Sequence, residues 1–217
     1  MTATGAARVG DDRTFAILPG TVDLQRFEPG PRSVGLVDCY GLSGRRVMLT
    51  SSRIGDDLVE KGFARLIAQL PRLIERWPDL IYLIGGDCSQ RGRLERQISD
   101  AGLRDRVVIT GYIDKAELAD HYRLADAFIL PSSGEGLGIV LLEVQACGIP
   151  TIASVLDSGA EVVARIGWAV DPNDGVAVEQ ALAEAFASIR RRPPGIEQFA
   201  IAAFEKRMNS VIDRLFG

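Results

Sequence analysis

The sequence predicts an α/β fold: a Rossmann-like parallel sheet with helices on both faces, followed by a further C-terminal helix. Short apolar runs of strand length recur over 80–84, 107–110, 127–130 and 150–154. Helical patterns fill the intervals at 90–102, 115–125 and 138–147. Strands alternating with helices of this length require right-handed crossovers, which yield parallel strands covered on both sides. The 217 residues, 47% hydrophobic and 25% charged, suffice for one large or two small domains with a full core.

Residues 1–14 are small and polar and read as loosely ordered. A short strand broken by Pro19-Gly20 follows over 15–27, and Pro29, Gly30 and Pro31 form a second breaker. Residues 33–44 suggest a short helix ending at Gly41 or Gly44, before a strand over 46–52. A loop over 53–60 leads into a helix from Lys61-Gly62, where Phe63, Leu66, Ile67, Leu70, Leu73, Ile74 and Trp77 recur at helical spacing. Pro71 within it removes one backbone bond and predicts a kink.

Beyond the alternating core, a short helix is expected near 158–165 and a small strand over 168–170. Asp174 is placed to cap a helix running to about Ile189, with Val176, Val178, Ala181, Leu182, Ala185 and Phe186 on one face. Arginines and prolines over 190–194 break it, and a last amphipathic helix is expected over 196–216.

The chemistry concentrates where the 127–130 strand turns into the 138–147 helix. Gly134, Gly136 and Gly138 leave room for a ligand to approach the backbone. The helix start offers unpaired N–H groups carrying roughly half a positive charge, which suits an anion. Glu135 and Glu143 flank the same spot and suit hydroxyl pairs better than phosphate. A diphosphate with neighbouring diols, as in a nucleotide sugar, meets both demands. Arg53 and Lys61 supply cations on the loop after the first confident strand; taken singly, each also reads as a solvated surface charge.

The Glu135-x7-Glu143 spacing, with Gly136-Leu137-Gly138 between, resembles the signature of retaining glycosyltransferases of the GT-B fold, in particular glycosyltransferase family 4, the group 1 glycosyltransferases. The phrase around Pro19-Gly20 resembles that family's interdomain hinge, usually with Asn in place of Gly20. The resemblance implies a hinge remnant over 1–30, a donor-binding domain over 31–190 and a crossover helix over 191–217. It further implies that Arg53 and Lys61 neutralise the diphosphate, Glu135 holds the transferred sugar, Glu143 holds the ribose diol, and the base lies against Tyr112 and Ile113. Two departures stand out: Asp157-Ser158 replaces a glycine pair before Gly159-Ala160-Glu161, and Ser52 replaces a glycine before Arg53.

The resemblance implies a hexosyltransferase that is inactive without an N-terminal acceptor domain, supplied in cis or in trans. The alternative is a stand-alone nucleotide-binding or regulatory module that pairs with a separate polypeptide. No cofactor is implied; the donor is a UDP-, GDP- or ADP-linked sugar, and the pathway class is polysaccharide or glycoconjugate biosynthesis. The lack of an Asp-x-Asp motif agrees with metal independence, and a single histidine, His121, cannot build a zinc site.

A net charge of −4 argues against nucleic-acid partners. No run approaches ~20 apolar residues, which leaves peripheral membrane attachment through another domain as the open route. Cys39, Cys88 and Cys147 are odd in number and widely spaced, as reduced thiols of a cytoplasmic protein are.

Overall fold

The computed structural model describes residues 20–51, 62–86, 91–133, 138–156, 160 and 167–216. In chain order the regular elements are α1 (Val34–Cys39), β1 (Arg46–Ser51), α2 (Phe63–Arg76), β2 (Leu80–Gly85), α3 (Arg91–Asp100), β3 (Val107–Gly111), α4 (Leu118–Arg123), β4 (Ala127–Leu130), α5 (Ile139–Ala146), β5 (Thr151–Ser154), β6 (Trp168–Val170), α6 (Gly175–Ala187) and α7 (Ile201–Phe216). The strands form one six-stranded sheet in the order β3-β2-β1-β4-β5-β6. Every pairing is parallel.

The alternation of side chains along a strand explains why helices cover both faces. Met48, Tyr82, Ile84, Ala127, Ile129 and Ile152 point to one face, where Phe63, Leu66, Leu70 and Leu73 of α2, Leu94 of α3 and Val178 and Leu182 of α6 bury them. Val47, Leu49, Ile81, Leu83, Phe128, Leu130 and Ala153 point to the other, against Tyr122 of α4, Leu141 and Leu142 of α5 and the flanking Val22 and Phe27. Each fully buried Leu- or Phe-sized side chain contributes about 1.5–3 kcal/mol. A polar cluster inside the first face is satisfied: the Tyr82 hydroxyl donates to Thr50 Oγ1 at 3.0 Å, and Thr50 donates to the Ile129 carbonyl at 2.7 Å.

The element order matches the sequence-based expectation, with local differences. Pro71, where a kink is expected, lies inside α2, which continues as helix through it. The helix expected over 115–125 is a 3-10 turn over Lys115–Glu117, capped by Asp114, followed by α4. Asp174 accepts from the backbone of Val176 and Ala177, as its position predicted, but Val176 itself is exposed rather than part of the buried face.

The last helix starts at Ile201 rather than 196. Ala200 is extended and bridges to Val22, whose N–H donates to the Phe199 carbonyl at 2.9 Å, so this pairing takes the backbone that a longer helix would need. Of the strand expected over 15–27, the described part contributes only that bridge at Val22. The helix expected near 158–165 lies outside the described residues, apart from residue 160. No described helix is long and apolar enough to cross a membrane.

Candidate functional site

The chain winds outward from β1 through β2 to β3, then returns to lay β4 on the other side of β1. That reversal opens a crevice beyond the carboxyl ends of β1 and β4, the place where open parallel sheets take ligands. The two loops that carry the candidate residues leave from these two strands. Ser51 ends β1 and precedes the segment holding Arg53 and Lys61; Leu130 ends β4 and precedes the segment holding Glu135, Gly136 and Leu137. Those five side chains lie outside the described residues, as do Ser52, Asp157, Ser158 and Glu161.

The described residues at the borders of the two segments touch. Gly62 adopts a left-handed conformation at φ 72°, and a β-carbon there would stand 2.2 Å from the Pro131 carbonyl oxygen. Only glycine lets the start of α2 come so close to the end of β4.

At the other border Gly138 takes φ 56° and occupies the N-cap of the eight-residue α5 without a side-chain cap, so the first N–H groups have no partner within the helix itself. Glu143 lies in the second turn of that helix. The Tyr122 hydroxyl donates to Glu143 Oε2 at 2.8 Å. Burial raises the Glu143 pKa above the ordinary 4.5, while Tyr122 and Arg26 pull it down. Tyr122 is raised well above its ordinary value, chiefly by burial and then by the Glu143 charge; a hydrogen bond with Ser51 opposes this.

The candidate base platform lies further along the same edge. Ile113 is buried, and a β-carbon on Gly85 at the end of β2 would meet its Cδ1 at 3.0 Å and Ser51 Oγ at 3.3 Å. Tyr112 is 71% exposed, which removes core packing as the reason for an aromatic there. The carboxyl ends of β1, β2 and β3 are thus drawn together around Ser51, Gly85 and Ile113. Gly138 and Glu143 adjoin the same edge through α5 and Tyr122.

Tyr122 and Ser51 were not singled out by the sequence. Tyr122 falls in an ordinary helical pattern, and only the packing of α4 against α5 carries its hydroxyl to Glu143. His121, by contrast, is buried and away from this chemistry: Nδ1 donates to the Glu117 carbonyl at 2.9 Å, and Nε2 accepts from the Tyr40 hydroxyl at 3.1 Å. Among the described residues no group of three or more His, Cys, Asp or Glu side chains is placed to hold a metal ion.

Residues 45–189 match the family described as Glycosyl transferases group 1. The chain is 36% identical over 196 residues to the GDP-mannose-dependent alpha-(1-6)-phosphatidylinositol monomannoside mannosyltransferase of Mycolicibacterium smegmatis, covering 86% of this chain and 50% of that protein. It thus spans about half the length of the curated relatives it matches. Among solved structures, sucrose-phosphate synthase from Thermosynechococcus elongatus superposes with a TM-score of 0.73 at 28% identity, over 92% of this chain and 52% of that one. Anabaena Alr3699/HepE, solved in complex with UDP and glucose, shares the fold with a TM-score of 0.75 at 19% identity, over 89% of this chain and 55% of that one.

Proposed function

Since this chain belongs to the group 1 glycosyl transferases, we propose that it is the donor-binding part of a retaining glycosyltransferase of family 4, moving a hexosyl group from a nucleotide diphosphate sugar to an acceptor hydroxyl. The observation that carries this reading is the contact of Gly62 with Pro131, which brings the borders of the two candidate loops together at the switch point of the sheet.

In this reading Arg53 makes a forked contact with the diphosphate, Lys61 adds a point charge, and the start of α5 beyond Gly136, Leu137 and Gly138 supplies backbone N–H groups. Glu143 accepts from the ribose hydroxyls and Glu135 from those of the transferred sugar. Tyr112 and Ile113 border the base. Catalysis rests on stabilising the departing diphosphate, where charge develops, and the cations do this without a metal. Residues 1–30 serve as the hinge, 31–190 as the donor domain and 191–217 as the crossover helix. The GDP-mannose dependence of the 36%-identical relative favours GDP-mannose as donor.

An acceptor-holding domain, in cis or in trans, completes the cleft and orients the attacking hydroxyl. This chain alone therefore binds donor with little turnover, because positioning contributes so much to rate. The setting is cytoplasmic and serves glycoconjugate or polysaccharide synthesis, with membrane contact made through the acceptor part.

Calorimetry with UDP, GDP, ADP and their sugars tests the reading on the wild type and on Arg53→Ala. Binding of one base with a tenfold or greater loss in Arg53→Ala is expected, since a hydrogen bond to a charged group is worth about 1.5–3 kcal/mol. Equal heats for the two proteins would withdraw the diphosphate role from Arg53.

A further inference from the structure

Tyr122 is 2% exposed, and its ring is fixed between Phe27, at a centroid distance of 5.9 Å, and Phe128, at 6.4 Å in edge contact. A phenol held this rigidly delivers its hydroxyl to one place, and that place is Glu143 Oε2 at 2.8 Å. The phenolic oxygen of Tyr122 in turn takes a hydrogen bond from Ser51, the last residue of β1. The three groups form a directed series in which Ser51 donates to Tyr122 and Tyr122 donates to Glu143. It crosses the switch point, tying a carboxylate on the β4 side to the strand from which the Arg53 segment departs.

We propose that Tyr122 is a positioning residue for nucleotide binding, fixing Glu143 so that its second oxygen, Oε1, grips the ribose hydroxyls of the donor. The inference rests on the donor-site reading above and adds to it a residue that touches no ligand. The mechanism is geometric. A glutamate side chain has three free torsions, and one hydrogen bond to a locked phenol removes most of that freedom before the ligand arrives. Burial keeps the phenol neutral, so it remains a donor and Glu143 remains the acceptor. The bond also leaves Oε2 satisfied, so that a diol meets a single oriented oxygen instead of a carboxylate free to turn.

The test compares GDP with 2′,3′-dideoxy-GDP, and UDP and ADP with their dideoxy forms, by calorimetry on the wild type, Tyr122→Phe, Glu143→Gln and the double variant. The wild type is expected to prefer the ribonucleotide by tenfold or more. Tyr122→Phe keeps both ring contacts and should cut that preference to about threefold or less, with dideoxy affinity unchanged within twofold. In the Glu143→Gln background the same substitution should change the preference no further, because both act through one contact. Ser51→Ala, which leaves the core rings untouched, should reduce the preference in smaller degree.

A Tyr122→Phe loss shared equally by ribo- and dideoxynucleotides would mean a packing role only and would overturn the proposal, as would an unchanged preference. A wild type that binds nucleotides but ignores the ribose hydroxyls would remove Glu143 from the ribose and this inference with it. A wild type that binds none of them would sink the donor-site reading itself.

Discussion

Gly62 and Pro131 are in contact across the β1–β4 crevice with no room for even a methyl group between them. The contact joins the foot of α2 to the end of β4, and with it the borders of the two segments that carry Arg53, Lys61 and Glu135.

Gly62→Ala is therefore expected to destabilise the fold by at least ~2 kcal/mol. A non-glycine residue in the left-handed region costs roughly 1–2 kcal/mol, and displacing backbone at Pro131 adds a further 1–3 kcal/mol. Urea unfolding of the variant and the wild type measures the difference. A change within ±0.5 kcal/mol would mean that the contact is loose.

Glu143 should make stability depend on pH in a definite direction. Burial raises its folded value above the ordinary 4.5, so the native state holds this proton more tightly than the unfolded chain. Stability referable to Glu143 is then highest at low pH and declines as pH rises from about 4.5 through the raised folded value, staying flat above it. The stability of wild type relative to Glu143→Gln should fall across that window, and nucleotide binding should weaken on acidification at a pH above 4.5. A difference that grows with rising pH would reverse the sign and refute the burial argument.

Arg192 donates to three backbone carbonyls: Nη2 to Leu24 and Phe27, both at 2.9 Å, and Nε to Ala146 at 3.2 Å. The guanidinium thus closes the C-terminal end of α5 and pins the 20–27 segment to it. Arg192→Ala should cost about 2–3 kcal/mol, and Arg192→Lys should recover only part, since a point charge cannot serve three acceptors in a plane. Thermal unfolding with amide exchange at Val22 checks both, and an Arg192→Ala variant that melts with wild type would discount the clasp.

Much of this architecture was legible in the residues. The parallel sheet, its helices and the Asp174 cap follow from apolar periodicity and capping chemistry, which are local properties. The late start of α7 was not, because the Val22–Ala200 bridge joins residues remote in sequence. For the site, the sequence marked Glu143, Gly138, Tyr112 and Ile113 as candidates; their burial, exposure and partners came only from packing. Tyr122 left no local signal, since its hydroxyl matters only after α4 meets α5. Val176 is exposed because, at 3.6 residues per turn, it stands on the opposite side of α6 from the fully buried Val178.

The strand order carries a kinetic consequence. Within 46–111 and again within 127–170 each strand pairs with its sequence neighbour, but β1 meets β4 through only the Met48–Ala127 and Leu49–Phe128 pairs. Beside that seam, Val47 and Asp126 bond at 79 positions' separation. Closing so long a loop is entropically the expensive event of folding, so the two half-sheets form readily and dock late. Because the crevice exists only after docking, a nucleotide would act as a late-stage staple, slowing the separation of the halves without hastening the growth of either.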